Sequence, residues 1–114
     1  MIEETVMHYL EEELSVPVTL EVPEISSGQY VVIQKTGGAE RGAEMRTAVM
    51  AVQSFGDTLY DAAALNERVL NSMSEIQYAE NSVIRCELNS NYNYTDLETK
   101  RYRYQAVFDL VYFV

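Results

Sequence analysis

The sequence has one cysteine, one histidine, two prolines and no tryptophan among its 114 residues. Cys86 has no second cysteine in the chain with which to form a disulfide, and one histidine cannot supply a histidine-rich metal site. Lysine and arginine are also scarce, 8 against 18 aspartates and glutamates, so the formal net charge is −10. Phosphate backbones and anionic lipid headgroups are bound through lysine and arginine, and this balance therefore argues against ordinary nucleic-acid binding and against acidic membranes.

No apolar run approaches the roughly 20 residues that cross a membrane, and the chain does not open with a basic, apolar leader. We therefore expect a cytosolic product that is not secreted. Hydrophobic residues make up 47% of the chain and charged residues 23%, which is typical of a globular domain and not of a disordered acidic tail. These values predict one domain over residues 1–114, large enough to build a core without disulfides or a structural metal.

The spacing of apolar residues predicts two helices and five strands in the order α-β-β-β-α-β-β. Helical spacing predicts an amphipathic helix over 2–14 and a second helix over 58–77, with Asp57 as its N-cap. Apolar or alternating stretches predict strands at 16–22, 30–34, 47–55, about 84–94 and 101–112, with a loop at 24–28 and a turn at 95–99. Pro17 and Pro23 confine the first strand to a sheet edge. We expect an α+β fold with a mainly antiparallel or mixed sheet and both helices on one face.

The two side chains that most often act as nucleophile and base are poorly placed for catalysis. His8 lies off the apolar stripe of its helix, so we expect it to face solvent. Cys86 falls on the predicted apolar face of a strand with Ile84 and Leu88, a face that continues toward Tyr92 and Tyr94. A thiol in such a position is usually an inert core residue.

Other charged and glycine-rich stretches also lack the spacing that ligand binding needs. Glu11, Glu12 and Glu13 are consecutive on a helix, where side chains separated by about 100° cannot converge on one cation. The segment 35–46 contains three glycines but neither the spacing nor the Gly-Lys-Ser/Thr ending of a phosphate-binding loop. We therefore predict no catalytic residues, no metal site and no cofactor, and the chain is not expected to be an enzyme.

Two features remain as candidates for binding another protein. The segment 35–46 is either an idle surface loop or a hairpin arm that becomes ordered against a neighbouring subunit. Five of the nine tyrosines lie in the final hairpin, where they either cover the sheet or contribute to an interface. The candidate interface residues from these two regions are Gly37, Gly38, Arg41, Gly42, Arg46, Tyr92, Tyr94, Arg101 and Arg103.

Charge is also unevenly distributed along the chain. Seven glutamates lie in the first 24 residues, whereas Arg85, Lys100, Arg101 and Arg103 lie in the last third. If this polarity survives folding, it suits head-to-tail packing of identical subunits, with the acidic surface of one copy against the basic surface of the next. The alternative is that these charges are solvated and have no partner.

Taken in order, the elements resemble the tail-terminator or tail-completion proteins of long, non-contractile-tailed bacteriophages. An acidic opening helix leads to the first strands, a glycine pair, an alanine-rich helix and a tyrosine-rich closing hairpin, and the resemblance spans nearly the whole chain. The stretches that carry it are Leu14-Ser15-Val16-Pro17-Val18, Tyr30-Val31-Val32-Ile33, Thr36-Gly37-Gly38, Gln53-Ser54-Phe55-Gly56, Asp61-Ala62-Ala63-Ala64-Leu65-Asn66-Glu67-Arg68-Val69, Tyr92-Asn93-Tyr94-Thr95-Asp96 and Lys100-Arg101-Tyr102-Arg103-Tyr104.

This resemblance implies a structural protein of the virion tail, assembled in the bacterial cytoplasm. In such a family, six subunits form a ring at the head-proximal end of the tail tube, stop its polymerisation and join it to the head connector. The implied partners are other copies of the chain, the tail tube protein and the head connector or stopper protein. No sequence-specific nucleic acid is implied, although DNA passes through the lumen of such a ring, where an acidic surface would keep it from sticking.

Two function classes remain as alternatives at this point. A small acidic inhibitor or immunity-type protein, which mimics DNA or blocks a basic site, would also carry a net charge of −10. A small enzyme or ligand-binding α+β domain is the weakest alternative, because no polar residues converge in the pattern that such a site needs.

Overall fold

The computed structural model describes residues 1–24 and 27–114. Within these residues the protein is an α+β fold, and its element order confirms the prediction apart from one additional short helix. Part of the predicted loop at 24–28, residues 25 and 26, lies outside the described residues. The elements are α1 (Ile2–Leu14), β1 (Val18–Thr19), β2 (Tyr30–Glu40), β3 (Met45–Gly56), α2 (Leu59–Met73), α3 (Ile76–Ala79), β4 (Val83–Asn93) and β5 (Tyr102–Phe113).

The five strands form one mixed sheet in the order β1-β2-β3-β5-β4. β1 runs parallel to β2, and the other three pairs are antiparallel. The predicted edge position of the first strand is confirmed, but only two of its residues pair, because Pro17 has no amide to donate and the chain bends at Leu20 and Glu21. None of the helices in residues 1–24 and 27–114 is long and apolar enough to span a membrane.

The core lies between the helices and one face of the sheet. Side chains of a strand point alternately to the two faces of the sheet, so every second residue points toward the helices. These side chains pack against the apolar stripes of α1 and α2. The buried side chains that form this core are Ile2, Val6, Tyr9, Leu10, Leu14, Val18, Val31, Ile33, Ala48, Met50, Val52, Leu65, Val69, Met73, Ile76, Val83, Ala106, Phe108, Leu110 and Tyr112. The predicted strands at 47–55 and 101–112 thus alternate between this core and the opposite face, as their apolar spacing indicates.

Two hydrogen bonds join α1 to α2. The Tyr9 hydroxyl donates to the carbonyl of Ser72 at 2.6 Å. Arg68 Nη2 donates to the carbonyl of Leu14 at 2.6 Å, which satisfies one of the carbonyls that have no helical partner at the end of α1. The two helices are thereby fixed to each other as one layer.

The second predicted helix differs from the structure at both ends. Its N-cap is Thr58, whose hydroxyl accepts from the Asp61 amide at 3.1 Å, because the first helical residue is one position later than predicted. Asp57 instead accepts from the Gly28 amide at 3.0 Å and joins two loops. The helix also ends at Met73, and a turn separates it from α3. Leu59 is 41% exposed in the first turn and does not belong to the buried stripe.

The segment 35–46 is a hairpin arm and not a long loop. β2 continues to Glu40 and β3 begins at Met45, so only four residues form the tip. The sequence does not predict this extension, because glycine and charged residues are weak strand formers. The extension is a strand because backbone hydrogen bonds to β3 stabilise it. A bulge between Lys35 and Gly37 accommodates the change in register.

Two bulges in β4 interrupt the predicted alternation, although Cys86 and Leu88 share one face as predicted, opposite the core residues Leu110 and Phe108. The register against β5 shifts between Val83 and Arg85 and again between Leu88 and Ser90. Val83 is buried in place of Ile84, which is partly exposed. After the second bulge Tyr92 lies opposite Gln105, on the face away from Cys86, so the predicted continuous face does not exist.

Candidate interaction site

The face of the sheet opposite the helices has no element packed on it in the described part of the chain. Small apolar residues occupy its middle, and a hydrogen-bonded pair crosses it, in which Gln53 Nε2 donates to Gln105 Oε1 at 2.8 Å. Gln105 in turn donates to the Tyr92 hydroxyl. The apolar residues on this open face are Val32, Val49, Ala51, Val107 and Val111. One end of the open face carries the charged and aromatic residues described next.

Two arginines and three aromatic residues form a compact group at this end, the arginine–aromatic cluster of Tyr30, Phe55, Tyr94, Arg101 and Arg103. The rings of Tyr30 and Phe55 are stacked, with centroids 4.6 Å apart. Arg101 Cζ lies 5.4 Å from the Phe55 centroid and 5.9 Å from the Tyr30 centroid. Arg103 Cζ lies 5.7 Å from the Phe55 centroid and 4.5 Å from the Tyr94 centroid. These are cation–π distances, and the rings hold both guanidinium groups in place.

The strand register explains why these side chains meet. Tyr30 pairs with Phe55 across β2 and β3, and Phe55 pairs with Arg103 across β3 and β5. The turn between β4 and β5 then returns Arg101 and Tyr94 to the same end, since Arg103 Nε donates to the Tyr94 carbonyl at 2.8 Å. Arg101 donates to the Tyr30 hydroxyl. The cluster is thus built from β2, β3, the start of β5 and the turn before it.

Neither arginine of the cluster forms an ion pair with a carboxylate in residues 1–24 and 27–114. The ion pairs found there join Arg46 to Glu40 at 3.7 Å and Arg85 to Glu87 at 3.3 Å. A guanidinium group held against a ring keeps the N–H groups at its edge free to bind a carboxylate in a bidentate manner. A cleft of about 110 Å³ beside the cluster, lined in part by Lys100 and Asp57, leaves space for an incoming side chain.

The opposite side of the molecule is strongly anionic. Segments 1–15 and 58–80, which contain the three helices, hold 9 of the 18 acidic residues and one of the 8 lysines and arginines. Their net charge is 1 − 9 = −8, so the remainder of the chain contributes only −2. The sheet separates this helical layer from the arginine–aromatic cluster, and the charge asymmetry of the sequence therefore becomes a charge difference between two faces.

Within the helical layer, Glu13, Glu75 and Glu80 form an acidic patch around Tyr9. Burial is the main cause that raises the Tyr9 pKa to about 12, and the negative charges of these three carboxylates add to it. A phenol responds in this way when nearby negative charge disfavours its ionised form. None of the three carboxylates takes part in an ion pair within the described ranges.

The structure divides the predicted interface residues into two groups at opposite ends of the sheet. One group lies on the arm, and the other lies at the β4–β5 turn with the arginine–aromatic cluster. The arm group is Gly37, Gly38, Arg41, Gly42 and Arg46, and the turn group is Tyr92, Tyr94, Arg101 and Arg103. The predicted set did not include Tyr30 and Phe55, although a tyrosine at one strand end and a phenylalanine at another were visible signals.

The arm also leaves a free strand edge. β1 pairs only with Val31 and Val32, so in the described chain no strand lies against the outer side of β2 from Gln34 to Glu40. Unpaired backbone groups on such an edge are available to another chain. This geometry favours the arm interpretation of the segment over the idle loop.

The residues considered for catalysis lie apart from both groups. His8 is exposed, which confirms its predicted orientation. Burial, with Asp109 and Glu87 as lesser causes, raises the Cys86 pKa to about 12, so the thiol is protonated near neutral pH and is a poor nucleophile. No group of three metal-ligating side chains is present among the residues that the structure describes. No known family model matches the sequence, and no curated protein is significantly similar to it.

Proposed function

We propose that this protein is a self-assembling structural component of a bacteriophage tail. In this proposal, copies of the chain form a ring, six-membered by the resemblance described above, which terminates the tail tube and joins it to the head connector. The observation that supports assembly is the division of charge, with a net −8 on the helical segments and, on the other face of the sheet, two arginines that form no ion pair within the described residues. The resemblance supplies the biological setting.

The division of charge favours contacts between copies because one chain cannot satisfy it alone. The sheet stands between the acidic helices and the arginines, so the two surfaces meet only when they belong to different molecules. A contact between two different surfaces is heterologous, and heterologous contacts close into rings when the rotation between copies permits it. The hairpin arm, with its free strand edge, would extend such a contact or reach the tail tube protein.

Size exclusion with light scattering over a concentration series tests the proposal directly. Six chains of 13.0 kDa have a mass of about 78 kDa, and negative-stain images of that fraction should show a central hole. Adding the fraction to growing tail tubes should stop their elongation. A protein that remains a monomer at every concentration, with and without tubes, would contradict the proposal.

The anionic helical layer also favours the second candidate, a small acidic inhibitor of a basic partner. That function predicts a stable monomer which binds one basic protein tightly and with a steep dependence on salt. It assigns no role to the free edge of the arm. Removal of the arm tip, residues 41–44, therefore separates the candidates, because an inhibitor would keep its affinity whereas a ring protein would assemble poorly.

A further inference from the structure

We propose that the arginine–aromatic cluster of one copy binds the acidic patch on the helices of the next copy. This inference rests on the proposed function, since it names the contact through which the chain assembles. Its ligand is a set of carboxylates supplied by a second molecule of the same chain: Glu13 near the end of α1, and Glu75 and Glu80 at the two ends of α3.

The cluster is organised to receive carboxylates. A guanidinium group has five N–H donors, and within the cluster Arg101 and Arg103 each use one of them in the hydrogen bonds to Tyr30 and Tyr94. The remaining donors lie at the edges of groups that the rings already hold in place, so little side-chain entropy is lost when a carboxylate binds. Lys100, exposed in the adjacent turn, adds a third positive charge.

Nearby carboxylates of the same chain are already occupied. Asp57 accepts from the Gly28 amide at 3.0 Å. Asp96 accepts from the Glu98 amide at 3.0 Å, and this bond is the main cause that lowers the Asp96 pKa. Backbone donors thus hold both side chains in their own loops. The charge of Arg103 is a lesser cause that lowers the Asp96 pKa, but these two side chains form no ion pair in the described residues, so the guanidinium edges remain for a ligand from outside the chain.

The acidic patch is the matching partner because it lacks cations of its own. The three carboxylates lie in one part of the helical layer, since Glu13 is one turn after Tyr9 on α1 and the Tyr9 hydroxyl donates to Ser72, just before Glu75. Their mutual repulsion is relieved when cations approach. Arg68, the only lysine or arginine in the helical segments, is directed to the Leu14 carbonyl. Each copy therefore presents a cationic surface on one face and an anionic surface on the other. In a closed ring, every cationic surface contacts the anionic surface of the next copy.

Charge reversal on both sides tests this contact. The first variant is Arg101→Glu with Arg103→Glu, and the second is Glu13→Arg with Glu75→Arg and Glu80→Arg. Each variant alone presents two surfaces of like charge, so we expect its assembly to weaken by roughly tenfold or more. In an equal mixture each cluster faces a patch of opposite charge, and assembly should return to near the wild-type level.

Matched controls change the same charge elsewhere. Arg85→Glu, compared with Arg103→Glu alone, reverses one exposed cation outside both the cluster and the arm, and Glu21→Arg with Glu24→Arg and Glu87→Arg reverses three exposed acids outside the helices and the arm. Sedimentation velocity at 50, 150 and about 500 mM NaCl gives the mass distribution of each, and wild-type assembly should weaken as salt rises. Circular dichroism checks folding. If the first variant does not fold, Arg101→Gln with Arg103→Gln replaces it in the single-variant comparison only, because its neutral cluster cannot restore assembly in the mixture.

The outcomes distinguish this inference from the proposed function. If the wild type forms rings but the reversed variants assemble like their controls, or if the mixture does not restore assembly, the contact is wrong and the ring remains. If the reversed variants still assemble but no longer stop tube growth, the cluster binds the tube protein and not a second copy. A wild type that is monomeric throughout would overturn both the contact and the ring.

Discussion

The adjacent glycines of the arm should respond to alanine with opposite signs. A Cβ atom added at Gly38 would lie 2.5 Å from the Thr47 carbonyl oxygen on β3, a backbone atom that cannot move without opening the hairpin. A Cβ added at Gly37 would meet nothing closer than 3.9 Å, the Val49 side chain. Neither glycine has a positive φ, so the difference between the two substitutions is purely one of space.

The expected free energies follow from these distances. Gly37→Ala reduces the conformational freedom of the unfolded chain and should stabilise the protein by about 0.4–1 kcal/mol. Gly38→Ala has the same advantage but must separate two paired strands, and overpacking of this kind costs about 1–3 kcal/mol. The two variants should therefore differ by about 1–3 kcal/mol, with Gly38→Ala the less stable.

Urea denaturation gives the global free energies of unfolding, and amide hydrogen exchange shows whether the loss is confined to the arm. In Gly38→Ala, residues 36–40 should exchange faster than in the wild type, whereas in Gly37→Ala they should be unchanged or slower. Equal stability and equal exchange in both variants would refute the reasoning, because that result is expected of the long loop that strand propensity predicts.

Three further predictions concern the core and its titratable groups. Ser54 is fully buried, and its hydroxyl has no hydrogen-bond partner among the described residues, so Ser54→Ala should cause no loss of stability. Asn66→Ala removes the 2.7 Å hydrogen bond to Asn91 and should lower the free energy of unfolding by about 1–3 kcal/mol. Urea denaturation measures both changes. Leu65 is completely buried, so Leu65→Ala should lower the free energy of unfolding by about 2–5 kcal/mol. Leu97 is 86% exposed, so Leu97→Ala should change it by no more than about 0.5 kcal/mol. Equal effects of the two substitutions would contradict the assigned core. Folding raises the pKa of Tyr9 from 10.0 and that of Cys86 from 9.0 to about 12, so the folded protein favours the neutral form of each side chain. The free energy of unfolding should therefore keep its full value below pH 9 and fall as the pH rises toward 12. Urea midpoints from pH 8 to about 11 should show a shallower decline for Tyr9→Phe, and an unchanged slope would contradict that origin.

The elements that were correctly predicted are those whose pattern is local. α1 and the two long strands β3 and β5 repeat their apolar residues with the period of their own backbone, and burial follows that period directly. The errors occur where a neighbouring strand decides. Residues 35–40 become a strand through the ladder with β3, and the bulges of β4 adapt it to β5.

The candidate site shows the same limit. Arg101 and Arg103 were identified in the sequence as basic residues of the closing hairpin, but nothing in their local pattern points to Phe55 or Tyr30. Those rings come from strands about 45 and 70 residues earlier, and only the order of strands in the sheet brings them under the guanidinium groups.

Taken by itself, the sequence determines the composition of this protein, its excess of negative charge and the periodicities that make it an α+β domain, because each of these is a property of the residues or of their near neighbours. The tertiary structure alone decides where the charges lie. Folding places the acidic helices on one face of the sheet and the two arginines on the other, because alternate residues of a strand point to opposite sides and the helices cover only one of them.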